Sequence, residues 1–167
     1  MDTLLPVVHI PICSGAPENR MKGLIQRVSE AGVEVDGVAI ATIGTGLLLL
    51  LGVERGDGPD QARALCQKIL AYRVFPDAQG RMNRSLIDAG GALLVVPQFT
   101  LAADTSSGAR PGFSLAAAPE SADRLFQEFL THARRSMGDL PVRQGWFGAD
   151  MKVRLVNDGP VTFLLEA

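Results

Sequence analysis

At 167 residues, 47% hydrophobic and 20% charged, the chain has the size and apolar content of one ordinary soluble domain. A formal net charge of −2 gives no global basic field, so a nucleic-acid partner has to be held by a local patch. The two cysteines show no metal-like or redox spacing, and no apolar run reaches the length of a membrane span.

The first twenty residues differ in character from the rest of the chain. Residues 4–12 are apolar but broken by Pro6 and Pro11, and Ser14-Gly15-Ala16-Pro17 has the composition of a loop. A secretory signal carries positive charge ahead of its apolar run, whereas here only Asp2 precedes it. The expectation is a flexible extension over 1–20, with Met21-Lys22 as the natural first residues of a domain spanning 21–167.

Residues 23–29 read as a strand with Leu24, Gln26 and Val28 on one face and Ile25 and Arg27 on the other. Asp36-Gly37, flanked by Val33-Glu34-Val35 and Val38-Ala39-Ile40, is a tight-hairpin signal. The near-continuous apolar run 46–53 predicts a strand covered on both faces. Asp57-Gly58-Pro59 places a cap residue before a first-turn proline. Ala62, Leu65, Cys66, Ile69 and Leu70 then recur at helical spacing, which makes Cys66 a small buried apolar residue. An extended piece at 73–75, turns at 77–80 and 88–91, and an apolar run at 92–96 come next. Residues 102–112 read as a loop. Pro119 opens a second helix with the stripe Ala122, Leu125, Phe126, Phe129, Ala133 and Met137, stopped by Gly138. Strands at 151–156 and 161–166 close the chain around the corner Gly159-Pro160. This pattern predicts an α+β domain: a strongly curved, barrel-like mixed sheet with two amphipathic helices.

The usual catalytic side chains are scarce. His9 falls in the extension and His132 on the second helix, so a Ser-His-Asp or Cys-His arrangement is not supported. There is no His/Cys cluster for zinc and no carboxylate loop for a hard cation, so neither metal nor cofactor is expected. Gly44-Thr45-Gly46 precedes a strand, not a helix, and reads as a turn rather than a phosphate cradle. Two polar interruptions of apolar strands remain. In Val96-Pro97-Gln98-Phe99-Thr100-Leu101 the alternation puts Gln98 and Thr100 on one face, either as an ordinary half-exposed strand or as a polar site floor over Phe99. At Gly159-Pro160 a residue without a Cβ meets one with fixed φ and no N–H. That makes either a plain β-turn or a stiff corner able to bind a ligand through its main chain.

From Met21 to Ala167 the chain resembles the D-aminoacyl-tRNA deacylases. The resemblance runs through Met21-Lys22-Gly23-Leu24-Ile25-Gln26-Arg27-Val28, Gly80-Arg81-Met82-Asn83, Gln98-Phe99-Thr100-Leu101, Ala103-Asp104-Thr105, Phe147-Gly148-Ala149-Asp150-Met151 and Asn157-Asp158-Gly159-Pro160-Val161-Thr162. It implies a cytoplasmic homodimer that hydrolyses the ester between a D-amino acid and the 3′-terminal adenosine of tRNA. It further implies a cis Gly159-Pro160 peptide that projects into the other subunit's site and rejects L-substrates. Glycyl-tRNA should then also be cleaved. Gln98, Phe99 and Thr100 are the implied catalytic group. Gly159, Pro160, Arg27, Asn157 and Met151 are the implied selectors of chirality, with Arg27 holding the corner. Where the family usually has Ser, this chain has Pro97, which offers neither an amide hydrogen nor a hydroxyl.

Two mechanisms fit these residues. In one, Thr100 attacks the carbonyl. In the other, main-chain donors and the ribose 2′-hydroxyl do the work, which the lack of histidine favours. Lys68, Arg73, Arg81, Arg84, Arg110, Arg134 and Arg135 are candidate tRNA contacts, with Arg110 foremost. The alternatives are a related L-alanyl-tRNA editing enzyme with a trans corner and a non-catalytic dimeric tRNA-binding module.

Overall fold

The computed structural model describes residues 20–167, so the expected extension lies outside the described residues except for Arg20. The fold is organised by one long strand, β1 (Lys22–Val35). One edge of β1 pairs with β8 (Lys152–Glu166) along almost its whole length. The other edge is shared. β3 (Gly46–Gly52) pairs with residues 22–28 and β2 (Val38–Ile43) with residues 31–35, all antiparallel. β6 (Ala92–Pro97) runs parallel to β3, and β7 (Val142–Gln144) parallel to β6. The result is a mixed, barrel-like sheet. β1 serves two neighbours on one side because it curves, and register shifts at Val33/Glu34 and around Arg27 mark the bends. Periodicity divides β1 into two pieces; the strand instead continues through residues 30–32.

Both faces of the sheet are covered, as the unbroken apolar runs require. Ile25, Leu47, Leu49, Leu51, Leu93 and Val95 face a larger core completed by α1 (Pro59–Ala71) and α2 (Pro119–Met137). Val28, Leu48, Leu94 and Val96 face a smaller core with Val33, Ala41 and Ile43. The buried stripe of α2 is the expected one with Leu130 added, and Gly138 ends it at φ 59. Asp36 (φ 50) and Gly37 (φ 78) both occupy the left-handed region that a two-residue hairpin demands.

The cap residue before Pro59 is Gly58; its N–H donates to Gln61 Oε1 (2.9 Å), while the Asp57 carboxylate receives the Glu54 N–H (2.7 Å) in the turn before the helix. One expectation needs correction. The strand after residue 92 ends at Pro97, and Phe99–Ala102 forms a 3-10 turn. Finally, a small hairpin of β4 (Phe75–Pro76) and β5 (Met82–Arg84), together with β7, adds strands of two or three residues, too short for periodicity to show.

Candidate functional site

The first cluster of site residues lies where β3 and β6 end. The 3-10 turn packs onto Gly52, where a Cβ would come within 2.8 Å of Leu101 Cβ and 3.2 Å of the Gln98 carbonyl oxygen. The main chain is therefore laid directly on the strand end, and the Gln98 N–H donates to the Leu51 carbonyl (2.8 Å). Gln98 and Thr100 do share a side, since Gln98 Nε2 donates to Thr100 Oγ1. Phe99 is not packed beneath them. It is 61% exposed, with its ring 5.2 Å from that of Phe113. The alternation argument fails because a 3-10 turn of three residues per turn replaces the two-residue repeat.

This turn forms one wall of a cavity of about 490 Å³. Leu51, Val53, Pro97, Gln98 and Phe99 meet Phe126 of α2 and the loop Phe147-Gly148-Ala149-Met151 across it. Met151 seats over Gly145, where a Cβ would lie 2.8 Å from the Met151 sulfur and 3.5 Å from Pro97 Cδ. Pro97 is thus part of the cavity floor. Motif and spacing arguments give Phe113 and Phe147 no role of their own. The signal for Phe113 is an aromatic residue standing alone in a small-residue loop, and for Phe147 an aromatic pair with Trp146 ahead of Gly148-Ala149.

The second cluster is the corner. Gln26 pairs with Thr162 and Val28 with Asn157, so residues 158–161 leave the ladder opposite the single residue Arg27. Asn157 closes the base: its Oδ1 accepts the Val161 N–H and its Nδ2 donates to Thr162 Oγ1, both at 2.9 Å. Gln26 Nε2 donates to the same hydroxyl at 3.3 Å. Arg27, whose side chain is 13% exposed, donates from Nε to the Asp158 carbonyl (3.0 Å) and from Nη1 to the Val74 carbonyl (2.6 Å). Gly159 has φ +139, and a Cβ there would meet Val161 Cγ2 at 2.7 Å and Arg27 Nη2 at 3.1 Å. The Gly159–Pro160 peptide is cis, and both residues are exposed.

Gln98, Phe99 and Met151 therefore line the cavity, with Thr100 bonded to Gln98. Arg27, Asn157, Gly159 and Pro160 form the corner, and none of these four lines the cavity of the same chain. Thr100 Oγ1 accepts a hydrogen bond from the Gln98 amide and has no base among its hydrogen-bond partners in the described residues. His132 pairs with Glu128 on α2 (3.2 Å). No group of three or more His, Cys, Asp or Glu side chains among the described residues converges as metal ligands do. Of the candidate RNA contacts, Lys68 bonds the Glu166 carbonyl (2.8 Å) and Arg134 the Gln144 side chain, whereas Arg81, Arg110 and Arg135 are exposed with no side-chain partner among the described residues. No helix of the described residues is long and apolar enough to cross a membrane.

The family described as D-Tyr-tRNA(Tyr) deacylase matches residues 24–166. The D-aminoacyl-tRNA deacylase of Marinobacter nauticus is 69% identical over 147 residues, which cover 88% of this chain and 94% of the relative. That of Alkalilimnicola ehrlichii is 60% identical over 147 residues, covering 88% of this chain and 97% of the relative. Among solved structures, the c-Myc DNA unwinding element binding protein superposes with a TM-score of 0.84 at 38% identity, covering 87% of this chain and 98% of its own.

Proposed function

The chain belongs to the D-Tyr-tRNA(Tyr) deacylase family, and from that premise we propose how its two clusters act together. It is a D-aminoacyl-tRNA deacylase, an enzyme that hydrolyses the ester linking a D-amino acid to the 3′ end of tRNA and releases both. tRNA is its substrate, and it works in the cytoplasm. It acts as a homodimer in which the corner of one subunit enters the cavity of the other. The observation that carries this reading is the separation of the corner from the cavity of its own chain, while the corner stands exposed and braced as if to enter another.

In the assembled site the ester lies against the Phe99–Ala102 turn, whose main-chain N–H groups are placed to stabilise the developing oxyanion. Pro97 has no N–H to give, so those of Phe99 and Thr100 serve. Gln98 orients the Thr100 hydroxyl. The terminal 2′-hydroxyl assists the attacking water, because Thr100 has no base to activate it. Carbonyls of Gly159 and Pro160 accept bonds from the substrate ammonium. They occupy the space an L side chain would need, while a D side chain points away. Exclusion by contact discriminates more strongly than attraction does. Glycine has no side chain to exclude, so glycyl-tRNA, including tRNA-Ala mischarged with glycine, is also cleaved. Neither a metal nor a cofactor takes part.

One assay tests the reading. Incubation with D-tyrosyl-tRNA, L-tyrosyl-tRNA and L-alanyl-tRNA(Thr) should release amino acid from the first alone. Release from the third alone would make the protein an L-alanine editor, and release from none would make it a binding module.

A further inference from the structure

The β4–β5 hairpin carries three arginines that serve neither core. Arg73 precedes β4, Arg81 follows the turn, and Arg84 ends β5 opposite Phe75. The acids beside them are committed to the turns. Asp77 accepts the N–H groups of Gln79 (2.9 Å) and Arg81 (3.0 Å) and the Asn83 amide (3.4 Å). Asp88 accepts the Ser85 N–H (2.9 Å). These bonds hold both carboxyls below their usual range. Arg73 donates to Asn83 Oδ1 (3.3 Å) and Arg84 to the Asp88 carbonyl, and all three guanidinium groups remain exposed. The base of the hairpin is fastened to the corner, because the Arg27 guanidinium binds the Val74 and Asp158 carbonyls at once.

We propose that Arg73, Arg81 and Arg84 form a phosphate grip for the RNA backbone leading to the 3′ end that the corner inspects. The proposal rests on the deacylase reading and goes beyond it by assigning the RNA contact to this hairpin ahead of Arg110. Planar guanidinium forks bind phosphate oxygens bidentately and without regard to base. A grip and a corner that share one anchor keep a constant spacing. Phosphates held by the arm therefore position the terminal ester, whatever the tRNA sequence. In the dimer proposed above, the arm travels with the corner, so the subunit that lends the corner also holds the RNA.

The test compares full-length D-tyrosyl-tRNA with D-tyrosyl-adenosine, which has the ester but no RNA backbone. The triple variant Arg73→Gln, Arg81→Glu, Arg84→Gln should raise KM for the tRNA about tenfold with kcat within about twofold. It should also flatten the dependence of log KM on log salt by about two to three. Its kcat/KM on D-tyrosyl-adenosine should stay unchanged. Arg81→Glu alone breaks no contact of the fold and should show part of the same KM effect. An unchanged KM for tRNA overturns the proposal, as does an equal loss on both substrates or dissociation of the variant in sedimentation. A wild-type protein inert on both substrates sinks the deacylase reading and this inference with it.

Discussion

Thr100 and Arg27 have different kinds of importance. Thr100 is exposed and receives a hydrogen bond rather than giving its proton to a base. Thr100→Ala should therefore keep kcat within about tenfold of wild type, whereas D-tyrosyl-tRNA ending in 2′-deoxyadenosine should be nearly inert. Background activity from the variant with full turnover of the deoxy substrate would reverse that assignment. Arg27 is largely buried and holds two carbonyls from different parts of the chain. Arg27→Ala leaves both without their charged donor, worth about 1.5–3 kcal/mol for each hydrogen bond to a charged group. Loosening the corner should lower kcat/KM on D-tyrosyl-tRNA by at least about tenfold. It should also let measurable hydrolysis of L-tyrosyl-tRNA appear, which a merely destabilised protein would not show. Asp57 is a third kind of residue. Burial pushes its carboxyl up to about 6, Oδ1 has no hydrogen-bond partner among the described residues, and Glu54 adds repulsion that Lys22 only partly offsets. The folded protein holds this proton more tightly than the unfolded chain does. Asp57 therefore favours folding in acid, and that contribution is lost as pH rises from about 4 to about 6. The loss is at most about 3 kcal/mol and is reduced by solvent screening. Asp57→Asn keeps the acceptor for the Glu54 N–H and removes the charge. Its melting temperature should exceed that of wild type at pH 7, and the gap should close toward pH 4; a pH-independent gap would refute this.

Among the elements, the strand end of β3 sets the position of the Phe99–Ala102 turn, to which we assign the catalytic donors. Gly52→Ala places a methyl group against Leu101 Cβ and the Gln98 carbonyl, neither of which is the far end of a flexible side chain. Overpacking of this kind costs about 1–3 kcal/mol and should lift the turn off the strand. Expected is a loss of kcat/KM on D-tyrosyl-tRNA larger than the fall in melting temperature explains; full activity would show that the turn is positioned otherwise. Long elements are legible in the sequence because their signals repeat. The α2 stripe, the α1 stripe and the doubly buried runs in β3 and β6 each present the same period several times. The Phe99–Ala102 turn is not legible, since Gln98 and Thr100 alternate over one period only and a 3-10 turn uses the same letters. The corner lies between, because Gly159-Pro160 marks a break in a strand but Arg27, its brace, is 131 positions away from Asp158 in sequence.

At the scale of the whole molecule, the proposed dimer makes a quantitative prediction. If each site joins one subunit's Gln98 turn to the other's corner, two inactive variants complement. Gly159→Val disables the corner, and Phe99→Pro, which removes one of the two N–H groups assigned to the oxyanion, disables the turn. Random pairing leaves half of the dimers mixed, and each mixed dimer has one site with both parts intact. About a quarter of wild-type activity should return when the two are refolded together, and none if the corner serves its own chain. The interruption in β8 has its own long-range effect. Four residues stand opposite one, so the stretches on either side of them are matched by count as well as by kind. Beyond the corner, Leu165 is buried and Phe163 is half covered; before it, Val153 and Leu155 press on the smaller core. A one-residue slip of either arm along β1 would turn that arm inside out. The extra residues are therefore confined to the corner, where Gly159 in turn leaves no room for a Cβ.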